Sequence, residues 1–308
     1  MRKLILSLLL CGAITSAFSQ LPSTEIYLVE YNIAKSGKYF FVPPYNFTKR
    51  AGYDNQPSFS PEGDKIFYTS SRDTIQTDLY SYSIYDSITE QITRTPESEF
   101  SPTLLGDQFY VSYIKQELDK KQHLNKCLLD GTEDQQILNS TDSAAYYAWI
   151  NDSTVATVVL DKIMCLNIYE LPSEQFTPLV KNVGRCVTRM FNSLEEVCYI
   201  DKNDTNNIMI MRYNVKDGMM NPVAPMLKGS EDFAWTNDGK IIAGRDGKLF
   251  ILDPGKLKED VQSFEPKAAE ANWIEIADFS KSIGNFYRIA VSPKGNKWAL
   301  VGYAGKKP

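Results

Sequence analysis

Along this chain, apolar and polar positions alternate in short runs, and each run is closed by a turn signal. Ile66-Phe67-Tyr68-Thr69-Ser70 is aromatic and β-branched, and Leu79-Tyr80 and Ile92-Thr93 continue in kind. Ahead of them stands Gln56-Pro57-Ser58-Phe59-Ser60-Pro61-Glu62-Gly63. Pro61 presets a turn dihedral and Gly63 permits the positive one that follows. With Arg72-Asp73 as a loop, this stretch predicts strand, tight turn, strand, loop, strand, turn and strand.

The unit recurs. If Phe59 marks the end of a first strand, equivalent apolar positions follow at Leu104, Trp149, Met190, Trp235 and Val291, at steps of 45, 45, 41, 45 and 56 residues. After each comes a second apolar strand: Phe109–Ile114, Val155–Leu160, Val197–Ile200, Ile241–Gly244 and Trp298–Val301. Trp235-Thr236-Asn237-Asp238-Gly239-Lys240 and Val291-Ser292-Pro293-Lys294-Gly295-Asn296 reproduce the first turn closely; the copy at Met190 is the most degraded. A β-sandwich also repeats strands, every 8 to 12 residues or so, but without a superperiod of turn and aromatic markers. The pattern therefore predicts an all-β, six-bladed β-propeller. The long last step holds an insertion, Pro254 to Ala271, whose Lys, Glu and Ala content suits a helical turn or surface loop on the opposite face.

The sixth copy stops after two strands near Tyr303, while Ile26–Tyr31 and Lys38–Thr48 have the character of a third and a fourth. N-terminal strands completing the C-terminal blade would close the ring and hide two sheet edges.

Arg2 and Lys3, the apolar run Leu4–Leu10 and the small residues of Ala17-Phe18-Ser19 form the pattern of a signal peptide over residues 1–19, with Gln20 as the mature N-terminus. A lipoprotein signal at Cys11 is the rival; Leu10 is bulky where a small residue is expected. The expected compartment is periplasmic or extracellular, with 20–308 as one domain, a monomer, and no transmembrane segment after cleavage. Loss of Arg2 and Lys3 leaves 31 basic against 38 acidic side chains and moves the net charge from −5 to −7. No basic stripe is present to track phosphates, so nucleic acid is excluded as a partner. Lys115 to Lys121, diluted by Glu117 and Asp119, is a hairpin tip. Cys127, Cys165, Cys186 and Cys198 lack CxxC spacing; Cys186 and Cys198 either pair across a hairpin or stay as buried thiols.

Residues 56–63 with Ile66–Ser70, Arg72 and Leu79-Tyr80 resemble the repeat of TolB-type propellers, and the resemblance runs over essentially the whole mature chain. It implies an exported protein-binding module. TolB carries an α/β domain ahead of its propeller, whereas some thirty mature residues precede the first full repeat here. The resemblance therefore carries the fold and a binding face, and not a Tol-Pal role.

Catalytic motifs are scarce. GxSxG, HExxH, P-loop and dinucleotide signatures are missing, no cofactor or metal is implied, and the single histidine, His123, reads as a partly exposed strand residue. Asp201-Lys202-Asn203-Asp204-Thr205-Asn206 lacks the Gly and distal Glu of a calcium loop. Asp54, Asp73, Glu97, Glu99, Asp142, Asp161, Glu231, Asp232 and Asp246 fall in inferred loops on one side of the ring. Either they cap tight turns or two of them serve a carbohydrate-active hydrolase or lyase, the alternative to a non-catalytic role. Loops joining strands two to three and four to one meet around the central opening. They collect Tyr53, Asp54, Arg72, Asp73, Arg94, Tyr146, Tyr147, Arg185, Arg189, Arg245, Asp246, Phe286, Tyr287 and Arg288. Tyr and Arg dominate binding hot spots, so these residues are the candidate face for a protein or peptide partner. Arg72 and Arg245 recur at one repeat position and are also read as braces that hold loop carbonyls.

Overall fold

A computed structural model of the chain describes residues 21–72, 76–138, 143–257 and 272–304. The leader and Asp73 and Asp142 lie outside the described residues, as does 258–271 of the insertion. Its start, Pro254–Lys256, is a single 3-10 turn.

The chain begins with β1 (Thr24–Ile33), β2 (Tyr39–Phe41) and β3 (Tyr45–Asn46). Runs of four follow: β4 (Tyr53–Phe59), β5 (Lys65–Ser71), β6 (Asp78–Ser83) and β7 (Ile88–Gln91), then β8 (Ser98–Leu104), β9 (Tyr110–Gln116), β10 (Gln122–Leu128) and β11 (Gln135–Gln136). Next come β12 (Ala144–Asn151), β13 (Thr154–Val159), β14 (Cys165–Glu170) and β15 (Gln175–Lys181), then β16 (Val183–Arg189), β17 (Glu196–Asp201), β18 (Met209–Asn214) and β19 (Met220–Pro225). The last are β20 (Phe233–Trp235), β21 (Ile241–Arg245), β22 (Lys248–Leu252) and β23 (Ile274–Asp278), then β24 (Phe286–Val291) and β25 (Lys297–Tyr303). The runs beginning at β8, β12, β16 and β20 are separate four-stranded antiparallel sheets, while a nine-stranded sheet joins β24, β25 and β1 to the β4–β7 run. That junction is one parallel pair, Thr24 opposite Tyr53.

The two ends of the chain meet as expected. β1 runs antiparallel to β25 from Thr24 opposite Tyr303 to Glu30 opposite Lys297. The strand beyond it is broken: β2 and β3 each pair with β1 on either side of Val42-Pro43-Pro44. Proline has no N–H to give a ladder, so this outer edge cannot be continuous.

Second strands show why their sequences are apolar throughout. Along β25, Trp298 and Leu300 enter a core wedge shared with β21 and β22, while Ala299 and Val301 enter one shared with β5 and β6. Alternate residues face opposite ways, so a strand covered on both faces needs an unbroken apolar run. Three of the tight turns rest on one hydroxyl each. Ser60 Oγ accepts from the N–H groups of Asp64 and Lys65, and Gly63, at φ +70°, donates to the Ser60 carbonyl. Thr236 with Gly239 and Ser292 with Gly295 repeat the device.

A mouth of arginine and tyrosine on a central cavity

The first strands, β4, β8, β12, β16, β20 and β24, line one cavity of about 780 Å³. Five of the six repeat markers, Phe59, Leu104, Trp149, Trp235 and Val291, line it; Met190 instead packs into the wedge between the β16 and β20 runs. At one end the wall consists of turns that lead to second strands, with Asp107 and Asp152. At the other end the first strands begin, and there the wall carries Tyr146, Arg185, Asp232 and Arg288.

Bulges aim these side chains. Register breaks at 55–58 in β4, 100–103 in β8, 144–146 in β12, 183–187 in β16 and 286–288 in β24. An extra residue re-aims the side chains beside it, which is how a strand turns polar groups toward a cavity. Gln56 and Ser101 sit in these bulges at φ +55° and +57°, a left-handed region that L residues rarely occupy. Ser101 is held there by its N–H to Gln56 Oε1 and to Thr69 Oγ1, and by Tyr147 donating to its carbonyl.

Arg185 binds Asp232 through Nε at 3.0 Å and through a second, shorter Nη2 contact. Its guanidinium also lies 5.1 Å from the Tyr287 ring. Arg288 lies 5.8 Å from the Tyr146 ring, and its Nε is buried without a hydrogen-bond partner. Tyr287 accepts a hydrogen bond from Asn55 at 2.5 Å. Burial raises the Tyr53 phenol well above its usual range, while Arg288 beside it pulls the other way. Arg185, Arg288, Tyr146 and Asp232 thus share the mouth, with Tyr287 beside Arg185, while Tyr53, expected on this face, is buried behind it.

The other expected face residues lie elsewhere. Asp54 is fully buried, bound by Arg50 at 2.9 Å and by the Ser70 hydroxyl at 2.6 Å, so it braces β4 from inside. Arg72 stacks on Tyr80 at 4.1 Å and donates to the Tyr68 hydroxyl and Ser70, within its own sheet. Arg245 donates to the Lys228 carbonyl in the loop between two sheets, the bracing contact expected of it. Arg94 and Asp246 are exposed outside the cavity wall, Tyr147 lies along it on β12, and Arg189 is exposed at the last residue of β16, toward the opposite end. Phe286 is core: a Cβ on Gly244 would meet it at 2.4 Å.

Of the acidic residues weighed for hydrolysis that lie among the described residues, Asp232 alone lines the cavity, and Arg185 holds it. Glu97 faces Lys115, Glu231 binds Lys202, and Asp161 caps the N–H of Lys162. Glu99 is buried between Thr93 and Thr95, and burial pushes its carboxyl up to about 8. Asp201 and Asp204 accept from the N–H groups of Asn203 and Asn206, as turn residues do. His123 is half-buried on β10, beside Gln136. All four cysteines in the described residues are free thiols, so Cys186 and Cys198 are unpaired. Among the described residues, no helix is long and apolar enough to cross a membrane.

Comparison with solved structures places this architecture. A protein assigned as TolB from Agrobacterium tumefaciens superposes with a TM-score of 0.65 at 12% identity, over 92% of this chain and 99% of its own. TolB from Acinetobacter baumannii gives 0.58 at 13%, over 75% of this chain and 61% of its own. The chain has a TolB-like propeller fold. No family model and no curated protein matches the sequence. At such identities the likeness speaks for the TolB-like fold alone, and the mouth must be read from its own residues.

Proposed function

We propose that this chain is an exported binding propeller of six blades, one domain over 20–308, which takes a carboxylate-bearing segment of a protein or peptide partner at its Arg/Tyr mouth. The observation that carries the reading is Arg288, whose guanidinium lies on the cavity wall 5.8 Å from the Tyr146 ring. A planar guanidinium fork matches a carboxylate, which accepts from two of its N–H groups at once. Arg185 stands close enough to add charge while Asp232 keeps it oriented. Tyr146 and Tyr287 offer flat, stiff surface on which a peptide packs at small entropic cost. The blade count rests on six first strands around one cavity, with β1 to β3 completing the β24–β25 blade. The leader pattern in residues 1–19 supports an envelope or extracellular setting.

The test is cross-linked capture from the envelope fraction of the source cell. Arg288→Ala should lose the captured partner, and Arg94→Ala, exposed outside the cavity, should retain it. Equal capture by both variants would reject the mouth as the site.

A further inference from the structure

The strands that close the ring differ in charge from the rest of the chain. Residues 21–53 and 279–304, which hold β1 to β3, β24 and β25, carry eight basic side chains against two acidic, whereas residues 54–278 carry 21 against 36. Of the two acids, Glu30 is held by Lys297 at 3.4 Å. Lys35, Lys38 and Lys49 are exposed and, among the described residues, have no ion-pair partner. The outer edge of the same sheet also exposes apolar surface. Tyr39 and Phe41 pack on Trp298, so Phe40 between them turns to the other face of β2. Phe40 stands opposite Asn32 and Tyr45 opposite Leu28, in ladders without a register break, and Leu28 packs with Tyr80 and Tyr82 of β6. Phe40 and Tyr45 therefore face the β4–β7 run, yet they stay uncovered: Phe40, Val42 and Tyr45 are 53%, 47% and 44% exposed. Across from them Thr89 pairs with Tyr82 and Gln91 with Tyr80, so β7 presents uncharged residues there and turns Glu90 the other way. Lys38 Nζ lies 5.4 Å from the Phe40 ring centre, and Lys49 Nζ 5.0 Å from that of Tyr45. A strand added by a partner does not explain this surface, because Pro43 and Pro44 have no N–H with which to continue a ladder.

We propose that this rim, from Lys35 and Lys38 through Phe40, Val42 and Tyr45 to Lys49, docks the protein on a lipid bilayer with anionic headgroups. The residue types fit that occupant. Aromatic side chains settle at the boundary between headgroups and acyl chains, and lysine stems lie along apolar surface while their ammonium groups reach the phosphates. Each lysine held near an anionic surface adds attraction, and the apolar side chains between them add burial. Charge also sets the orientation. Residues 54–278, with a net charge of −15, are repelled by the same surface, so the basic edge is the one that turns toward it. None of these rim residues lines the central cavity, so docking leaves the mouth free for its partner.

The test is co-sedimentation of the exported chain, from Gln20 onward, with vesicles of phosphatidylcholine and phosphatidylglycerol and with vesicles of phosphatidylcholine alone. Retention on the anionic vesicles is expected, with release at about 1 M salt, where the screening length falls to about 3 Å. Lys38→Ala and Lys49→Ala should each weaken partitioning about fivefold, and Phe40→Ala about tenfold. Lys162→Ala, exposed on the loop between β13 and β14, should bind as the wild type does. Thermal melts that match the wild type show that each variant is folded; if Phe40→Ala is not, the two lysine variants decide. Absence of binding to the anionic vesicles, equal binding to both kinds, or rim variants indistinguishable from Lys162→Ala would overturn the proposal. Capture of an envelope protein through Phe40 without vesicle binding would overturn it too, and assign the rim to a protein partner.

Discussion

Tyr31 donates its phenolic hydrogen to the carbonyl of Gly295, 264 positions further along the chain, and its ring centroid lies 4.2 Å from that of Trp298. This contact fastens the first strand of the chain to the last turn. Trp298 is wholly buried, with Tyr39 and Phe41 also against it. Trp298→Ala should lower unfolding stability by about 3–5 kcal/mol, and Tyr31→Phe by about 0.5–1.5 kcal/mol, in urea melts. Comparable small losses for both would mean that the aromatic cluster contributes little to closure.

Truncation from Tyr287 onward removes β25, which pairs with β1 from Thr24 to Glu30. A broad, non-cooperative melt is expected. A sharp transition at the original temperature would contradict ring closure by the two termini.

Glu99 gives the molecule a pH dependence of known sign. Thr93, Thr95, Asp78 and Lys115 surround its carboxyl, and burial, the largest effect, lifts it from an ordinary 4.5 to about 8. A carboxyl raised on folding binds its proton more tightly in the native state. Its contribution is therefore full below pH 4.5 and is lost as pH climbs toward 8. Melts of the wild type should weaken across that window by an amount on the order of a few kcal/mol. Glu99→Gln should flatten the slope; an unchanged slope would assign it to other groups.

Arg185 and Asp232 are a coupled pair with side-chain exposures of 25% and 9%. Arg185→Ala leaves a nearly buried carboxylate alone, at a cost of about 2–4 kcal/mol, below the range for fully buried pairs. The double variant Arg185→Ala/Asp232→Ala should recover part of that loss in thermal melts. A double variant less stable than the single one would count against an isolated pair.

Gly244 faces the Phe286 ring across two neighbouring sheets. A methyl group here meets ring atoms that have no room to retreat, so Gly244→Ala should destabilise by about 1–3 kcal/mol. Phe286→Leu in the same chain should relieve the clash and restore stability in part.

Turns and second strands were readable because local chemistry decides them. Ser60 and Gly63 act through bonds within five residues, and the unbroken apolar run of β25 announces burial on both faces. Mouth residues were harder to read, since a bulge changes which way a side chain points without changing the pattern around it. Thus Arg185 and Arg288 reach the cavity wall, while Arg72 lies flat on Tyr80. Phe286, grouped with the surface on its position alone, fills the space left by Gly244. Gln56 and Ser101 carry no composition signal for a positive φ; only their equal spacing with Tyr146, in steps of 45 residues, hints at a shared structural position.

The ladder between Thr24 and Tyr303 also constrains how the molecule is made. Ribosomes add about 5–20 residues per second, so β1 emerges some tens of seconds before β25 exists. Through that interval Ile26, Leu28 and Val29 lack the β25 side of their ladder, and nascent-chain chaperones have a defined edge to shield. Assembly of the finished ring begins only after synthesis has reached its last strand, which leaves the polypeptide threadable until then.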